Sequence, residues 1–274
     1  MRSLHYVVIG LALGGALSPV HAEEVIPVNP ALHDRFYIGF GLFRPKTSTS
    51  AQFDSTRFGV GTNVDFEQML GMETRSTTPE FLARYRFTDR WRVAVEYFEL
   101  NRSGTRAVDR DIQWGGVTFP VNLEVDSRFD FSDMRVSVEY SIFRTTDKEF
   151  GVGFGFHVAG YNASLKGSAN TASAGTETGS VFAPLPVLSA YGLVALTDEW
   201  AVGGHLDWFS MSYDHYDGSV TSLGVDLRYQ PFRHVGFSLG YRSLFIALVH
   251  DTPESTLKFN QAYQGPLLTM NVSF

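Results

Sequence analysis

Charged residues recur at even spacings along this chain. Arg84 and Arg86, Asp133 and Arg135, His205 and Asp207, and Asp226 and Arg228 stand two apart. Arg92 and Glu96 stand four apart, as do Arg135 and Glu139, while His157 and Arg242 are single members of similar segments. In an extended strand, residues at even separations share a face. The set then forms one surface of six arginines and five carboxylates with two imidazoles. Three kinds of chemistry follow. A nearly balanced set can interlock as ion pairs, because unpaired charge in a confined space is costly. Lining a water-filled path, it would select solutes by charge. An imidazole two residues from a carboxylate, as in His205 and Asp207, can be oriented for proton transfer. A second pair, Asp214-His215, falls in a short connection that would sit on a rim.

The elements that position these residues are strands. Strict apolar/polar alternation marks segments 35–43, 80–87, 91–97, 133–142, 150–159, 200–208, 222–229, 235–242 and 268–274. A further segment, 187–196, is apolar on both faces, which brings the expectation to about ten strands. The apolar sides carry Phe, Tyr and Trp near strand ends, as a lipid-facing band with aromatic girdles does. The opposite sides carry the charged set and many glycines, suited to a crowded lumen. The Gly151, Gly153 and Gly155 run reads as close packing or curvature rather than a phosphate loop. Connections alternate in length. Those at 88–90, 144–149, 197–199 and 230–234 are short, and those at 44–78, 103–130, 161–185, 214–218 and 250–260 are mostly longer. Short turns at one end and long loops at the other fit a membrane barrel better than a secreted sandwich. The expected fold is all-β: a transmembrane antiparallel up-and-down β-barrel over 35–274.

Targeting agrees with this. Arg2, the apolar run 7–17 and the small-residue pattern Val20-His21-Ala22 read as a signal peptide over 1–22, followed by a short periplasmic segment at 23–34. Removing 1–22 takes away Arg2 and no acid, leaving 21 basic against 29 acidic side chains. That balance argues against nucleic acid as a partner. The chain has no cysteine, so no disulfide and no lipid-anchoring thiol is available. No histidine has metal-ligand spacing, and neither a metal nor a cofactor is expected.

The final Met270-Asn271-Val272-Ser273-Phe274 resembles the C-terminal signature of bacterial outer-membrane proteins, in which Met270, Val272 and Phe274 would be read by the barrel-assembly machinery. The chain as a whole looks like the small outer-membrane barrels of the OmpA/OmpW-like type. The stretch 61–71, leading into Tyr85-Arg86-Phe87-Thr88-Asp89-Arg90-Trp91, is similar to a pattern in uncharacterised proteobacterial barrels. The resemblance implies the outer membrane of a Gram-negative bacterium, with lipid and lipopolysaccharide as surroundings. It carries no chemistry. Omptin-type proteases also have ten strands with Asp and His near the rim, but nothing beyond strand number matches here, and the His-x-Ser-Asn type motif of outer-membrane lipid hydrolases is absent. The expected role is non-enzymatic: structural, or small-solute passage through or around the charged lumen. The alternatives are a surface-binding or adhesion role on the long loops, or a hydrolase at the rim.

Overall fold

Alternating segments must satisfy every backbone group internally once lipid surrounds them, and closing the sheet on itself is the way to do so. The computed structural model describes residues 29–57, 59–114, 117–168 and 176–274. The signal-peptide segment lies outside them. Their strands are β1 (Phe36–Phe43), β2 (Lys46–Ser55), β3 (Val64–Asp65), β4 (Thr78–Arg86), β5 (Trp91–Ala107), β6 (Ile112–Trp114), β7 (Val117–Phe119), β8 (Glu124–Arg144), β9 (Lys148–Ser168), β10 (Thr176–Ala195), β11 (Trp200–Tyr213), β12 (Tyr216–Tyr229), β13 (Val235–Asp251) and β14 (Ser255–Ser273). The ring runs β1, β4, β5, then β8 through β14, and β14 returns antiparallel to β1 with Phe40 opposite Met270. These are ten wall positions. β2 continues the β1 wall along β14 after a break at Arg44-Pro45, against which Gly265 lies so closely that a Cβ would meet Arg44 O at 2.2 Å.

The outward faces carry the expected belt. Phe36, Ile38, Phe40 and Leu42 on β1, Phe154 on β9, Leu227 on β12 and Leu268, Met270 and Phe274 at the C-terminal end are all exposed. Trp91 tilts against Tyr140, and Trp200 stacks on Tyr229 at 4.4 Å, as interfacial rings beside the turns. Short turns lie where expected, at Thr88 to Arg90 and Thr197 to Glu199, where a Thr hydroxyl accepts from the backbone N–H groups that follow. One helical turn, α1 (Pro30–His33), sits at this short-turn end. Asn29 caps it and donates to Thr197 O, Arg144 donates to Leu32 O, and Leu32 is buried with Leu193 and Ala201.

Two expectations are corrected. The spans 103–130, 161–185 and 250–260 are largely strand, not loop: β5 and β8 pair as far as Ala107↔Glu124, and β9 and β10 as far as Lys166↔Thr176. The strand read at 187–196 is the lower half of β10. The 44–78 span holds β2, and its remainder folds against the barrel, as described below. In these upper halves the alternation persists but its sense inverts. On β5, Tyr97 outward gives way to Glu99 and Asn101, while Arg92 and Glu96 inward give way to Phe98 and Leu100. A strand that rises out of lipid into water must exchange its faces in this way, since water now lies outside.

Candidate functional site

The interior has two layers. The lower layer gathers the charged residues expected from the sequence. Arg92 Nε lies 2.6 Å from Glu139, with its guanidinium 3.3 Å over the Tyr191 ring. Arg135 reaches three carboxylates, at 2.5 Å from Asp207, 3.2 Å from Glu139 and 3.4 Å from Glu96. His157 stands between Asp133, 2.9 Å from Nδ1, and Asp207, 3.3 Å from Nε2. Arg242 joins the same group through Glu96 at 3.1 Å. Ser137 donates to Glu139, and Ser189 donates to Asp207. Arg86 and Arg92 are cross-strand partners, a repulsive pair, and different acids neutralise them: Glu149 takes Arg86 at 2.6 Å and Glu139 takes Arg92.

The remaining members lie at the edges of this network. Asp226 and Arg228 pair with each other. Arg84 lies 4.0 Å over the Tyr37 ring, with Arg228 at 5.6 Å from the same ring. His205 is half-buried, 3.9 Å from Glu96, so Asp207 is bonded to Arg135, His157 and Ser189 instead of orienting His205. The rim pair Asp214-His215 is exposed on a turn, 3.5 Å apart, with Asp214 in the left-handed region at φ 53.

Two carboxylates central to the network were missed. Glu80 binds Arg242 and is fully buried, and Glu149 binds Arg86, Ser141 and Tyr191. Their parity gives them away: Glu80 shares a face with Arg84 and Arg86, and Glu149 shares one with Gly151 to His157. The glycines make room, as Gly153 shows, where a Cβ would fall 2.5 Å from Val138 O and 2.8 Å from Glu139 Cγ. A cavity of about 70 Å³ lies in this layer. Liquid water takes roughly 30 Å³ per molecule, so a cavity of this size holds a few waters.

Above it lies an aromatic floor. Arg242 stands 5.3 Å under the Phe98 ring, and Phe98 meets Phe43, Phe131 and Tyr263, with Phe131 and Tyr263 stacked at 4.8 Å. Over that floor the upper strands enclose an apolar chamber of about 730 Å³. Its walls include Phe129, Tyr161, Leu185, Phe209 and Phe259. Its roof is the 59–77 segment, which turns Val64, Phe66, Leu70 and Met72 inward, together with the β6–β7 hairpin, which brings Trp114. The segment is clamped. Arg102, buried on β5, donates to Thr47 and Thr49 of β2 and pairs with Glu67. Gly104 lets the backbone of Leu70 approach, since a Cβ there would stand 2.5 Å from Leu70 O. The sequence signal for this chamber was the polar-out, apolar-in run at Arg128 to Phe131, where Phe129 and Phe131 face inward.

No family model matches the chain, and no curated protein matches it by sequence. Solved structures do. The outer membrane protease OmpT from Escherichia coli is similar with a TM-score of 0.53 at 8% identity, over 92% of this chain and 100% of that one. OprG, an outer membrane protein of Pseudomonas aeruginosa, aligns over 91% and 99% of the two chains at 11% identity and a TM-score of 0.37. The attachment invasion locus protein Ail of Yersinia pestis aligns over 85% and 99% at 9% identity and a TM-score of 0.32. At 8% identity, the likeness to OmpT is one of fold alone.

Proposed function

We propose that the chain is a bacterial outer-membrane β-barrel that captures a small apolar molecule in its upper chamber and is not an enzyme. The observation that carries this is the chamber itself. Its 730 Å³ lies within the roughly 300–1,000 Å³ typical of small-molecule sites. Its lining is mostly aromatic and aliphatic, with Arg128, Asp217 and His250 also among the lining residues, which favours a mainly apolar ligand over an ion or a sugar. The charged layer serves as the floor of that chamber. Buried ion pairs add little net stability, but they close the lumen and fix the register of the strands that form it. Passage of a polar solute through the charged layer has little supporting space. An adhesive role on long loops loses its footing too, because most of those spans are wall strands. The same reading takes lipid and lipopolysaccharide as contacts of the belt, and the barrel-assembly machinery as the reader of Met270, Val272 and Phe274.

Trp114 provides the test, since it lines the chamber while Trp91, Trp200 and Trp208 are exposed on the outward face. With those three replaced by Phe, the refolded protein in lipid vesicles is titrated with 1-bromooctane, a contact quencher. Saturable quenching of Trp114 is expected, and Ala163→Phe, which fills space on the chamber wall, should abolish it while leaving folding intact. Quenching that rises linearly with bromooctane, as for simple partitioning, would contradict the proposal.

A further inference from the structure

The lower lumen gathers the six arginines expected from the sequence, and carboxylates hold five of them. Glu149 takes Arg86, Glu139 takes Arg92, Asp226 takes Arg228, and Arg135 and Arg242 each reach more than one acid. Arg84 is the exception. Among the described residues it makes no hydrogen bond or ion pair, and its close partner is the Tyr37 ring, 4.0 Å away. A cation left unpaired in a confined interior is costly, whereas one that is paired and hydrogen-bonded is tolerated.

Three observations mark what Arg84 faces. It lines two cavities at once, the one of about 70 Å³ inside the charged layer and a smaller one of about 20 Å³ towards the short-turn end. Ala31 of α1 forms part of the smaller cavity's wall, and four arginines line it: Arg35, Arg84, Arg86 and Arg92. The one acid lining it among the described residues, Asp34, is already bonded to Arg233 at 3.1 Å and to the Ser273 hydroxyl at 2.7 Å. The acids that line the larger cavity are engaged as well: Glu80 and Glu96 by Arg242, Glu139 by Arg92, and Asp226 by Arg228. Donors, by contrast, are left over. Arg228 binds Asp226 through Nε and Nη2 and has no hydrogen-bond partner at Nη1, and its guanidinium lies 5.6 Å from the same Tyr37 ring. A guanidinium carries five N–H donors in a fixed plane, and stacking on an aromatic ring orients it without satisfying them.

We propose that Arg84 holds a small inorganic anion of chloride size, which completes the charge pairing of the lower barrel from its short-turn end. The size follows from the space. A water needs roughly 10–15 Å³ of such space, so about 20 Å³ admits one water-sized ion and excludes phosphate or a carboxylate-bearing solute. The refolded protein in lipid vesicles is unfolded in urea while sodium chloride replaces sodium gluconate at fixed ionic strength, which holds screening constant. A ligand of the folded state alone multiplies the folded-to-unfolded ratio by one plus its concentration over Kd, about elevenfold at ten times Kd. The urea midpoint should therefore climb with chloride in the wild type. It should climb equally in Arg90→Gln, which removes an exposed arginine of the 88–90 turn that lies outside both cavities. Arg84→Met, which keeps an apolar stem against Tyr37 and removes the guanidinium, should show no such climb. A flat midpoint in the wild type, or the same climb in Arg84→Met, would overturn the site. Should Arg84→Met fail to refold, wild-type crystals grown in sodium bromide decide the matter at the bromine absorption edge. A peak beside the Arg84 guanidinium supports the site, and bromide absent there overturns it.

Discussion

Arg135 is 1% exposed and touches three carboxylates, so its neighbours set how the lower barrel tolerates change. Glu139 links it to Arg92. Glu139→Gln removes the negative charge paired with Arg92 and weakens one of the three bonds to Arg135. Breaking a buried pair from one side costs about 3 kcal/mol, and the urea midpoint of the refolded protein should fall accordingly. An unchanged midpoint would mean that the network is not connected as described. Most of this network was legible because charges at even spacing share a face whatever the strand's exact ends. Glu80 and Glu149 were not, for a local reason. Glu80 opened its segment, and Glu149 was assigned to a turn at 144–149, whereas the turn closes by Thr145 N–H bonding Lys148 O and Glu149 is already the second residue of β9.

The strands supply two further tests. Val138 is outward and exposed, while its neighbour Ser137 is buried inward. Val138→Arg should destabilise by roughly 2–4 kcal/mol near the bilayer midplane, measured by refolding titration into vesicles. A cost near zero there would place the belt elsewhere. At the roof, Asp54 accepts from the Gln52 amide at 2.8 Å and from Gly61 N–H at 2.9 Å. The Gln52 bond first, then Gly61 and nearby Lys258, hold its carboxyl below the usual range against the opposing effect of burial. A depressed group stabilises the fold above its ordinary value and loses that contribution as pH falls toward the lowered one. Hydrogen exchange at Gly61 should therefore accelerate, relative to its intrinsic rate, on acidification below about 4, and Asp54→Asn should remove that step. The belt was legible because outward Phe, Val and Leu alternate plainly. The upper halves of β5, β8, β9 and β10 were not, because the same alternation with faces exchanged reads as polar loop when the lumen side is assumed to be the polar one throughout.

At the scale of the molecule, the barrel is a vessel with a charged base and an apolar chamber above it. Helix α1 and the ion pairs stop its short-turn end, the Phe98, Phe131 and Tyr263 floor separates the charged layer from the chamber, and the 59–77 segment and the β6–β7 hairpin roof the chamber. Planar bilayers carrying the protein should show no steady stepped conductance, since the cavity of about 70 Å³ among paired charges holds only a few waters; regular open-channel steps would contradict the closed floor. The ring of ten strands, its belt and its short turns could be read from period and turn spacing alone. The chamber could not, because it depends on which strands stop pairing and where a 19-residue roof comes to rest, both of which are long-range outcomes. Its occupancy is measured most directly by crystals of the protein grown with 1-bromooctane and examined at the bromine absorption edge. An anomalous peak among Phe129, Tyr161, Leu185 and Phe259 is the expected result. Bromine found only along the outward belt, with the chamber empty or collapsed, would contradict it.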